Sequence, residues 1–298
     1  MSIQAWLKHN TDDLSGKTVA ITGSTGGLGR ELCKYLASLG ASLVLVDRNE
    51  TRSRALIEEL TALFPSLCAK TVKADLSDLS SVKAALDTLL SLPIDIFIHN
   101  AGAYSIPRYT TGEGYDNVFT INFISPYYMI RRLLPLLDER GGRAVVVGSI
   151  AHRYSESDPS DVDFSKRKKA SLVYGNAKRY LMLSLPMLFE GHRATLAVTH
   201  PGISFTGITA HYSKLLFAII KHPMKLIFMK PKKAALSILC GVFEGTERDE
   251  WIGPRLFDVW GLPRKKLLRG IAQEERDRIA HTANAIYRKT EGEKGDGF

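Results

Sequence analysis

The stretch T-G-S-T-G-G-L-G, residues 22–29, links the apolar run T-V-A-I-T at residues 18–22 to a helical pattern at residues 30–39. A glycine-rich turn between a strand and a helix allows tight backbone geometry and lets the backbone approach a pyrophosphate closely. The N-terminus of the following helix adds free N–H groups and the positive end of a dipole. The turn therefore predicts a dinucleotide-binding fold. The residues expected to contact the phosphates are Gly23, Ser24, Thr25, Gly27, Leu28 and Gly29.

The rest of the chain alternates short β-branched runs with helical patterns. Strands are predicted at residues 18–22, 42–46, 68–73, 94–99, 143–148 and 194–199. Helices are predicted at residues 30–39, 52–63, 80–90 and 118–137, and one begins near Ser171 and is kinked or ended by Pro186. Near-continuous apolar strands separated by helices are typical of a parallel sheet covered on both faces. We therefore expect a doubly wound α/β Rossmann fold of about seven strands.

No internal repeat or domain linker interrupts this alternation. The sequence accordingly predicts a single domain over residues 1–298. Residues 291–298 are polar and rich in glycine, so we expect a disordered tail there.

Composition narrows the classes of function. Three widely separated cysteines and no Cys/His cluster argue against a disulfide framework or a metal site, and favour a reducing, cytoplasmic compartment. The start lacks a secretory signal, and no apolar run of about 20 residues predicts a spanning helix. The net charge of +9 could attract phosphates, anionic lipid or nucleic acid, but no nucleic-acid-binding motif is present.

Tyr174 and Lys178 lie four residues apart in the run Y-G-N-A-K, which places both side chains on one face of a helix. A phenol has a reference pKa of about 10, and a neighbouring cation lowers it because it favours the phenolate. Beside a dinucleotide turn, the pair suggests proton transfer coupled to hydride transfer. Alone, each residue has a plainer interpretation, such as a solvated helix charge for Lys178.

Asp47 ends the second predicted strand. A carboxylate at this position can accept hydrogen bonds from both ribose hydroxyls and repels a 2′-phosphate, which favours NAD over NADP. Arg48 follows immediately and could instead bind a 2′-phosphate, so the alternative stays open.

These landmarks resemble the short-chain dehydrogenase/reductase family over roughly residues 14–262. The glycine turn matches T-G-x-x-x-G-x-G, A-D-L at residues 74–76 matches an adenine-contacting segment, and H-N-A-G at residues 99–102 matches N-N-A-G. The resemblance implies further cofactor contacts from Asp75, Leu76, Asn100, Ala101, Gly102, Pro201, Gly202 and Thr206, together with Tyr174 and Lys178.

The same resemblance implies four catalytic roles. Tyr174 is the general acid or base, and Lys178 lowers its pKa and holds the nicotinamide ribose. Ser149 binds the substrate oxygen and stabilises charge there. Asn122 holds a water beside Lys178 that relays protons to solvent.

The finer resemblance is to the retinol-dehydrogenase-like and protochlorophyllide-reductase-like branch. A long spacing from Ser149 to Tyr174, the run H-P-G-I-S-F-T at residues 200–206 and the apolar segment after it carry this resemblance. Two departures stand out: His99 replaces an asparagine whose role a ring nitrogen could take, and Gly175–Asn176 replaces small serine and alanine.

Residues 204–233 form the expected substrate lid, in which apolar residues alternate with lysines. Three interpretations stay open: a lid over an apolar alcohol or carbonyl substrate, a peripheral membrane contact through residues 213–233, or a packing helix or homo-oligomer contact. The side chains that could line the pocket are Tyr104, His152, Tyr154, Phe205 and Tyr212.

We therefore expect an NAD(P)-dependent oxidoreductase acting on a hydroxyl/carbonyl pair, with NAD favoured. The alternatives are a cofactor-binding regulatory protein without turnover and a reductase of C=C bonds on the same fold.

Overall fold

The computed structural model describes residues 2–202 and 229–292. Their centre is one sheet of eight strands in the order β3-β2-β1-β4-β5-β6-β7-β8. The strands are β1 Thr18–Thr22, β2 Ser42–Asp47, β3 Ala69–Lys73, β4 Ile96–His99, β5 Arg143–Val147, β6 Thr195–Thr199, β7 Glu250–Leu256 and β8 Trp260–Leu267.

Helices cover both faces of the sheet. The α-helices in the described part of the chain are α1 Ile3–Asn10, α2 Gly27–Ser38, α3 Glu50–Leu63, α4 Leu79–Leu90, α5 Asn117–Phe119, α6 Ser125–Glu139, α7 Ala170–Leu188, α8 Pro231–Phe243 and α9 Gln273–Glu291. Buried side chains of α4, α6, α7 and α9 form one hydrophobic core, and those of α2, α3 and α8 form the other. The predicted doubly wound α/β fold is confirmed.

The strand order positions the functional site. Strands β1 to β7 are parallel, and β1 lies between β2 and β4, so the order reverses at β1. Ligands of such sheets bind in the crevice at the carboxyl ends of the strands where the order reverses. The glycine turn that follows β1 lies at that crevice.

The sheet has eight strands rather than about seven, because β8 adds antiparallel to β7 at one edge. Both β7 and β8 contain a proline and a glycine, which weaken a strand pattern in sequence. Both strands nevertheless form, because β7 pairs with β6 and β8 pairs with β7 in the folded sheet.

Several predicted helix bounds differ from the observed ones. Helix α2 begins at Gly27, three positions before the predicted start, because the glycine turn itself supplies its first residues. Residues 120–124 form a π-helical turn that interrupts the predicted helix at 118–137. Helix α7 continues past Pro186 to Leu188, so the proline does not end the helix, while the predicted kink stays a prediction.

Most of the predicted tail lies outside the described residues. Glu291 ends α9, where its carboxylate pairs with Arg132 at 3.1 Å, and residues 293–298 lie outside the described residues. None of the helices within residues 2–202 and 229–292 is long and apolar enough to cross a membrane.

Candidate active site

The glycine turn requires glycine at two positions. Gly23 has a φ of 70°, and a Cβ there would lie 2.8 Å from the Cα of Ala101. A Cβ on Gly29 would overlap the carbonyl oxygen of Gly23 and lie 2.8 Å from the Cα of Ser24. Both glycines therefore serve close backbone approach, whereas a Cβ on Gly26 would meet only an ordinary contact at 3.5 Å.

The N-terminus of α2 is open to an anion. Its N-cap is Gly26, which provides no side-chain hydrogen bond to the first-turn N–H groups. Such N–H groups and the helix dipole together favour a phosphate. The turn therefore fits the pyrophosphate of a dinucleotide, as the sequence predicts.

Asp47 at the end of β2 is buried and already bonded to protein hydroxyls. Its Oδ2 accepts hydrogen bonds from the Oγ of Ser24, in the glycine turn, and from the Oγ of Ser53 at 2.9 Å. The Asp47 carboxylate thus links the glycine turn to α3. Both hydrogen bonds go to Oδ2, and neither of them uses Oδ1. Sequence reasoning missed Ser53, whose only signal is its place one turn into α3.

Arg48 and Asp75 lie beside Asp47 at the surface. The Arg48 side chain is 77% exposed, and its guanidinium lies 3.9 Å from the carboxylate of Asp75. Asp75 also accepts hydrogen bonds from the backbone and hydroxyl of Ser77, at 3.0 and 2.7 Å. Leu76 is buried, and its carbonyl accepts a hydrogen bond from Ser125.

Asn100 connects the end of β4 to the glycine turn. Its Nδ2 donates to the carbonyls of Thr22 and Gly23 at 3.1 and 3.0 Å. The backbone N–H groups of Asn100 and Ala101 both donate to the Thr22 hydroxyl at 3.1 Å. Thr22 is a second residue whose positioning role the sequence did not indicate.

His99 takes up the contact expected of a ring nitrogen. Its Nδ1 lies 3.1 Å from the Thr22 hydroxyl, which already accepts two N–H bonds and so donates its proton to this nitrogen. Burial, and then the charge of Lys178, holds the pKa of His99 well below its usual value. The imidazole is therefore neutral and supports the sheet as an amide would.

Ser149, Tyr174 and Lys178 meet where β5 ends. Ser149 begins a 3-10 turn, Ile150–Arg153, and hydrogen-bonds Tyr174 through its hydroxyl. The Nζ of Lys178 lies 5.7 Å from the centre of the Tyr174 ring and donates to the carbonyl of Val147 at 2.8 Å. The predicted trio is thus together at the carboxyl edge of the sheet.

The pKa of Tyr174 moves opposite to the direction predicted from a neighbouring cation. Burial raises it to about 12, and the hydrogen bond from Ser149 only partly offsets the rise. Burial also lowers the pKa of Lys178 to about 7, because its ammonium is enclosed by protein. Desolvation is therefore the largest cause of both shifts, and at Tyr174 it favours the neutral phenol.

Asn122 lies in the π-helical turn Thr120–Ile124, a distortion frequent at functional sites. Its Nδ2 donates to the carbonyls of Ala103 and Val118, both at 2.8 Å. A Cβ on Gly102 would lie 2.9 Å from its Oδ1 and 3.6 Å from the Nζ of Lys178. Asn122 and Lys178 therefore flank Gly102, while the predicted relay water stays a prediction.

Gly175 and Asn176, the departures noted in the sequence, both hold the segment after β5. A Cβ on Gly175 would overlap the carbonyl oxygen of Ala151, so glycine lets the 3-10 turn pack directly against α7. Asn176 is buried and donates to the carbonyl of Val162 at 2.8 Å.

The candidate pocket residues differ in placement. Tyr104 contacts Tyr174 edge to face, with ring centres 5.3 Å apart. His152 is instead buried against Trp251, and Tyr154 is exposed. Phe205, Tyr212, Thr206 and residues 203–228 of the predicted lid lie outside the described residues.

Pro201 and Gly202 follow β6 and are buried. Gly202 has a φ of 79°, and a Cβ there would lie 2.6 Å from the carbonyl oxygen of Val259. This end of the site therefore packs beneath the turn between β7 and β8. Within the described ranges, no three His, Cys, Asp or Glu side chains are grouped so that they could hold a metal ion.

Two buried histidines, His152 and His200, should make the protein less stable against unfolding at acid pH. Burial lowers the pKa of each to about 4, from 6.5. The unfolded chain thus binds protons that the folded chain does not, so the free energy of unfolding falls as pH drops from 6.5 towards 4. In urea unfolding across this range, His200→Gln should flatten the pH dependence, whereas His281→Gln, at an exposed position of α9, should not. An unchanged slope in His200→Gln would contradict the assignment.

Known proteins resemble this chain in sequence. A family model described as short chain dehydrogenase matches residues 17–159. Mouse polyprenol dehydrogenase is 28% identical over 236 residues, which cover 75% of this chain and 70% of that protein. Mouse retinol dehydrogenase 14 is 30% identical over 217 residues, covering 66% of this chain and 64% of that protein.

Solved structures share the fold. An uncharacterized protein from Mycobacterium Paratuberculosis superposes with a TM-score of 0.69 and 21% identity, covering 95% of this chain and 96% of its own. A short-chain dehydrogenase from Sphingobium yanoikuyae in complex with NADPH has a TM-score of 0.60 and 24% identity, covering 76% and 83% of the two chains.

Proposed function

Because the chain belongs to the short-chain dehydrogenase/reductase family, as an NAD(P)-dependent oxidoreductase of the retinol-dehydrogenase-like branch, we propose that it acts on the hydroxyl or carbonyl group of an apolar substrate. The observation that carries the proposal is the meeting of Ser149, Tyr174 and Lys178 at one edge of the sheet. A protein that only binds a cofactor has no need of all three groups.

The cofactor would lie along the residues that the sequence indicates. The glycine turn and the N-terminus of α2 would hold the pyrophosphate, Asp47 the adenosine ribose, and Lys178 the nicotinamide ribose. Asn100 to Gly102 and Pro201–Gly202 would form the walls of the crevice. The nicotinamide, when bound, supplies or accepts the hydride.

The protein supplies the proton and fixes the substrate oxygen. A phenol with a pKa of about 12 carries its proton at neutral pH, so Tyr174 is poised as the acid of carbonyl reduction. The Ser149 hydroxyl would bind the same oxygen and stabilise the charge that develops there. In alcohol oxidation Tyr174 would take the proton back.

An apolar substrate is supported by three features. Two relatives are named for polyprenol and retinol, both of which are apolar alcohols. The Tyr104 ring packs edge to face with Tyr174 and adds an aromatic wall beside the reacting group. The segment at residues 204–233 is rich in apolar residues.

NAD is the proposed cofactor because of Asp47. A buried carboxylate at the end of β2 repels a 2′-phosphate, whereas it can accept hydrogen bonds from ribose hydroxyls. Arg48 is the competing feature, since its exposed guanidinium could reach a 2′-phosphate.

Steady-state kinetics on a series of isoprenoid and aliphatic alcohols and aldehydes, each with both cofactors, tests the proposal. We expect kcat/KM to rise about three- to four-fold for each methylene group that the site buries, and to be higher with NAD and NADH. Equal rates for short polar alcohols would overturn the apolar substrate. A preference for NADPH would overturn the Asp47 argument. Cofactor binding without turnover, or products with a saturated C=C bond, would favour the two alternative functions.

A further inference from the structure

The turn between β7 and β8 presents apolar side chains to solvent. Phe257 is 87% exposed, Leu256 is 50% exposed and Trp260 is 38% exposed. We call residues 255–260 the hairpin tip. Large apolar side chains grouped at one exposed point mark an interaction surface more often than isolated ones do.

The conformation of the hairpin tip keeps the Phe257 side chain exposed to solvent. Phe257 has a φ of 51°, which is unfavourable for a bulky residue. The next residue, Asp258, is buried, and its carboxylate pairs with Arg153 at 3.2 Å and Lys266 at 2.6 Å. Its carbonyl oxygen lies 3.0 Å from the Nε2 of His200. These contacts fix the backbone of the turn next to Phe257, whose ring therefore stays exposed.

Basic side chains flank the hairpin tip. Arg255 on β7 and Arg264 on β8 are exposed, and neither forms a salt bridge with an acid in residues 2–202 or 229–292. The nearby acids are already paired: Glu250 with Lys265 at 3.6 Å, and Asp258 as described. Lys230 and Lys232, also exposed, lie at the start of α8, which packs against β8. The surface around the tip therefore carries a net positive charge.

The hairpin tip lies beside the candidate active site. A Cβ on Gly202, in the loop after β6, would lie 2.6 Å from the carbonyl oxygen of Val259 in the tip. Since β7 is parallel to β6, the tip projects from the same edge of the sheet as the cofactor crevice. A partner that binds the tip would therefore lie against the edge of the sheet at which the candidate active site opens.

We propose that the hairpin tip docks the protein on an anionic phospholipid surface. Phe257 and Leu256 would enter the boundary between headgroups and acyl chains, while Arg255 and Arg264 would pair with anionic headgroups. A two-fold contact with the tip of a second copy fits less well, because it would bring arginines against arginines. This inference goes beyond the proposed function, and binding to lipid is measured without any turnover.

Vesicle flotation tests the proposal with two hairpin variants. Phe257→Asn removes the ring and suits a positive φ, so it should fold at least as well as the wild type. Its control is Leu63→Asn, which removes an exposed leucine at the end of α3. The charge variant is Arg255→Gln with Arg264→Gln. Its control is Lys70→Gln with Lys73→Gln, which removes two exposed charges from β3 at the opposite edge of the sheet.

We expect binding to vesicles of phosphatidylcholine with phosphatidylserine, and little binding to phosphatidylcholine alone. The partition coefficient should fall about ten-fold in Phe257→Asn and about five-fold for each arginine removed, with both controls near the wild type. Equal binding of all variants, or no binding to anionic vesicles, would overturn the proposal. So would a dimer in size-exclusion chromatography that Phe257→Asn dissociates, because the occupant would then be a second copy.

Tryptophan fluorescence locates the contact. All three tryptophans lie in described residues, and Trp6 and Trp251 are buried, so Trp260 reports on the hairpin tip. Brominated phosphatidylcholine mixed with phosphatidylserine should quench the wild type but not Trp260→Phe. Equal quenching of the two proteins would refute contact through the tip.

Discussion

Replacing Tyr174 with phenylalanine will lower kcat at least about a hundred-fold, and by as much as about ten-thousand-fold, the range of a positioned proton donor. The substitution keeps the ring, its contact with Tyr104 and the packing of α7, and removes only the oxygen that hydrogen-bonds Ser149. Without that oxygen the proposed proton donor is lost, and His152 does not replace it, because it is buried against Trp251 with a pKa of about 4.

Single-turnover and steady-state assays with NADH and an apolar aldehyde would measure this effect. Cofactor affinity, measured by quenching of NADH fluorescence, should change little because the glycine turn, Asp47 and Lys178 are untouched. Tyr109→Phe is the matched control: it removes the same atom from an exposed ring on the segment before α5 and should leave kcat near the wild-type value. Full turnover by Tyr174→Phe would end the proposed mechanism.

Replacing Gly29 with alanine should abolish detectable cofactor binding at micromolar concentrations and destabilise the fold. The added Cβ would overlap the carbonyl oxygen of Gly23 and crowd the Cα of Ser24, both of which are backbone positions that cannot rotate away. Overpacking of this kind costs about 1–3 kcal/mol in the free energy of unfolding. Displacing the turn also removes charge-assisted hydrogen bonds worth about 1.5–3 kcal/mol each, so cofactor affinity should fall at least about a hundred-fold.

Gly26→Ala provides the comparison within the same turn. A Cβ at Gly26 would meet only the Gly23 carbonyl, at 3.5 Å, so this variant should retain most of its cofactor affinity. Isothermal titration with NADH and thermal unfolding of both variants would separate the two effects. If Gly29→Ala bound NADH as tightly as Gly26→Ala, the turn would not be the phosphate site.

Much of the fold was predictable because its signals are local. Strands β1, β2 and β4 to β6 are short apolar runs, whereas β3 alternates with lysines. The glycines after β1 predict a tight turn from the local sequence alone. Strands β7 and β8 were not predicted individually, since their prolines, glycines and basic residues weaken the apolar pattern of a strand. They form because they pair with each other in the folded sheet. The sequence left open whether Pro186 kinks or ends α7, and the observed helix continues to Leu188.

In the candidate site, too, some features are visible in the local sequence and others depend on the folded structure. The residue types and spacings of Ser149, Tyr174 and Lys178 are visible in the chain, but the direction of their pKa shifts is not. Desolvation depends on how much protein surrounds each group, and that depends on helices and strands distant in sequence. Ser53 and Thr22 were overlooked for a related reason, since a hydroxyl gains a role only from the groups placed around it.

The amino-acid order by itself determined the parallel α/β sheet, the glycine turn and the candidates for the reacting side chains, because helix and strand periodicity and backbone freedom act over a few residues. Only the tertiary structure decided that Tyr174 stays protonated, that Gly175 admits the carbonyl of Ala151, and that Phe257 is held out beside the active-site edge. Burial, close approach and exposure are properties of neighbours in space, and folding alone brings those neighbours together.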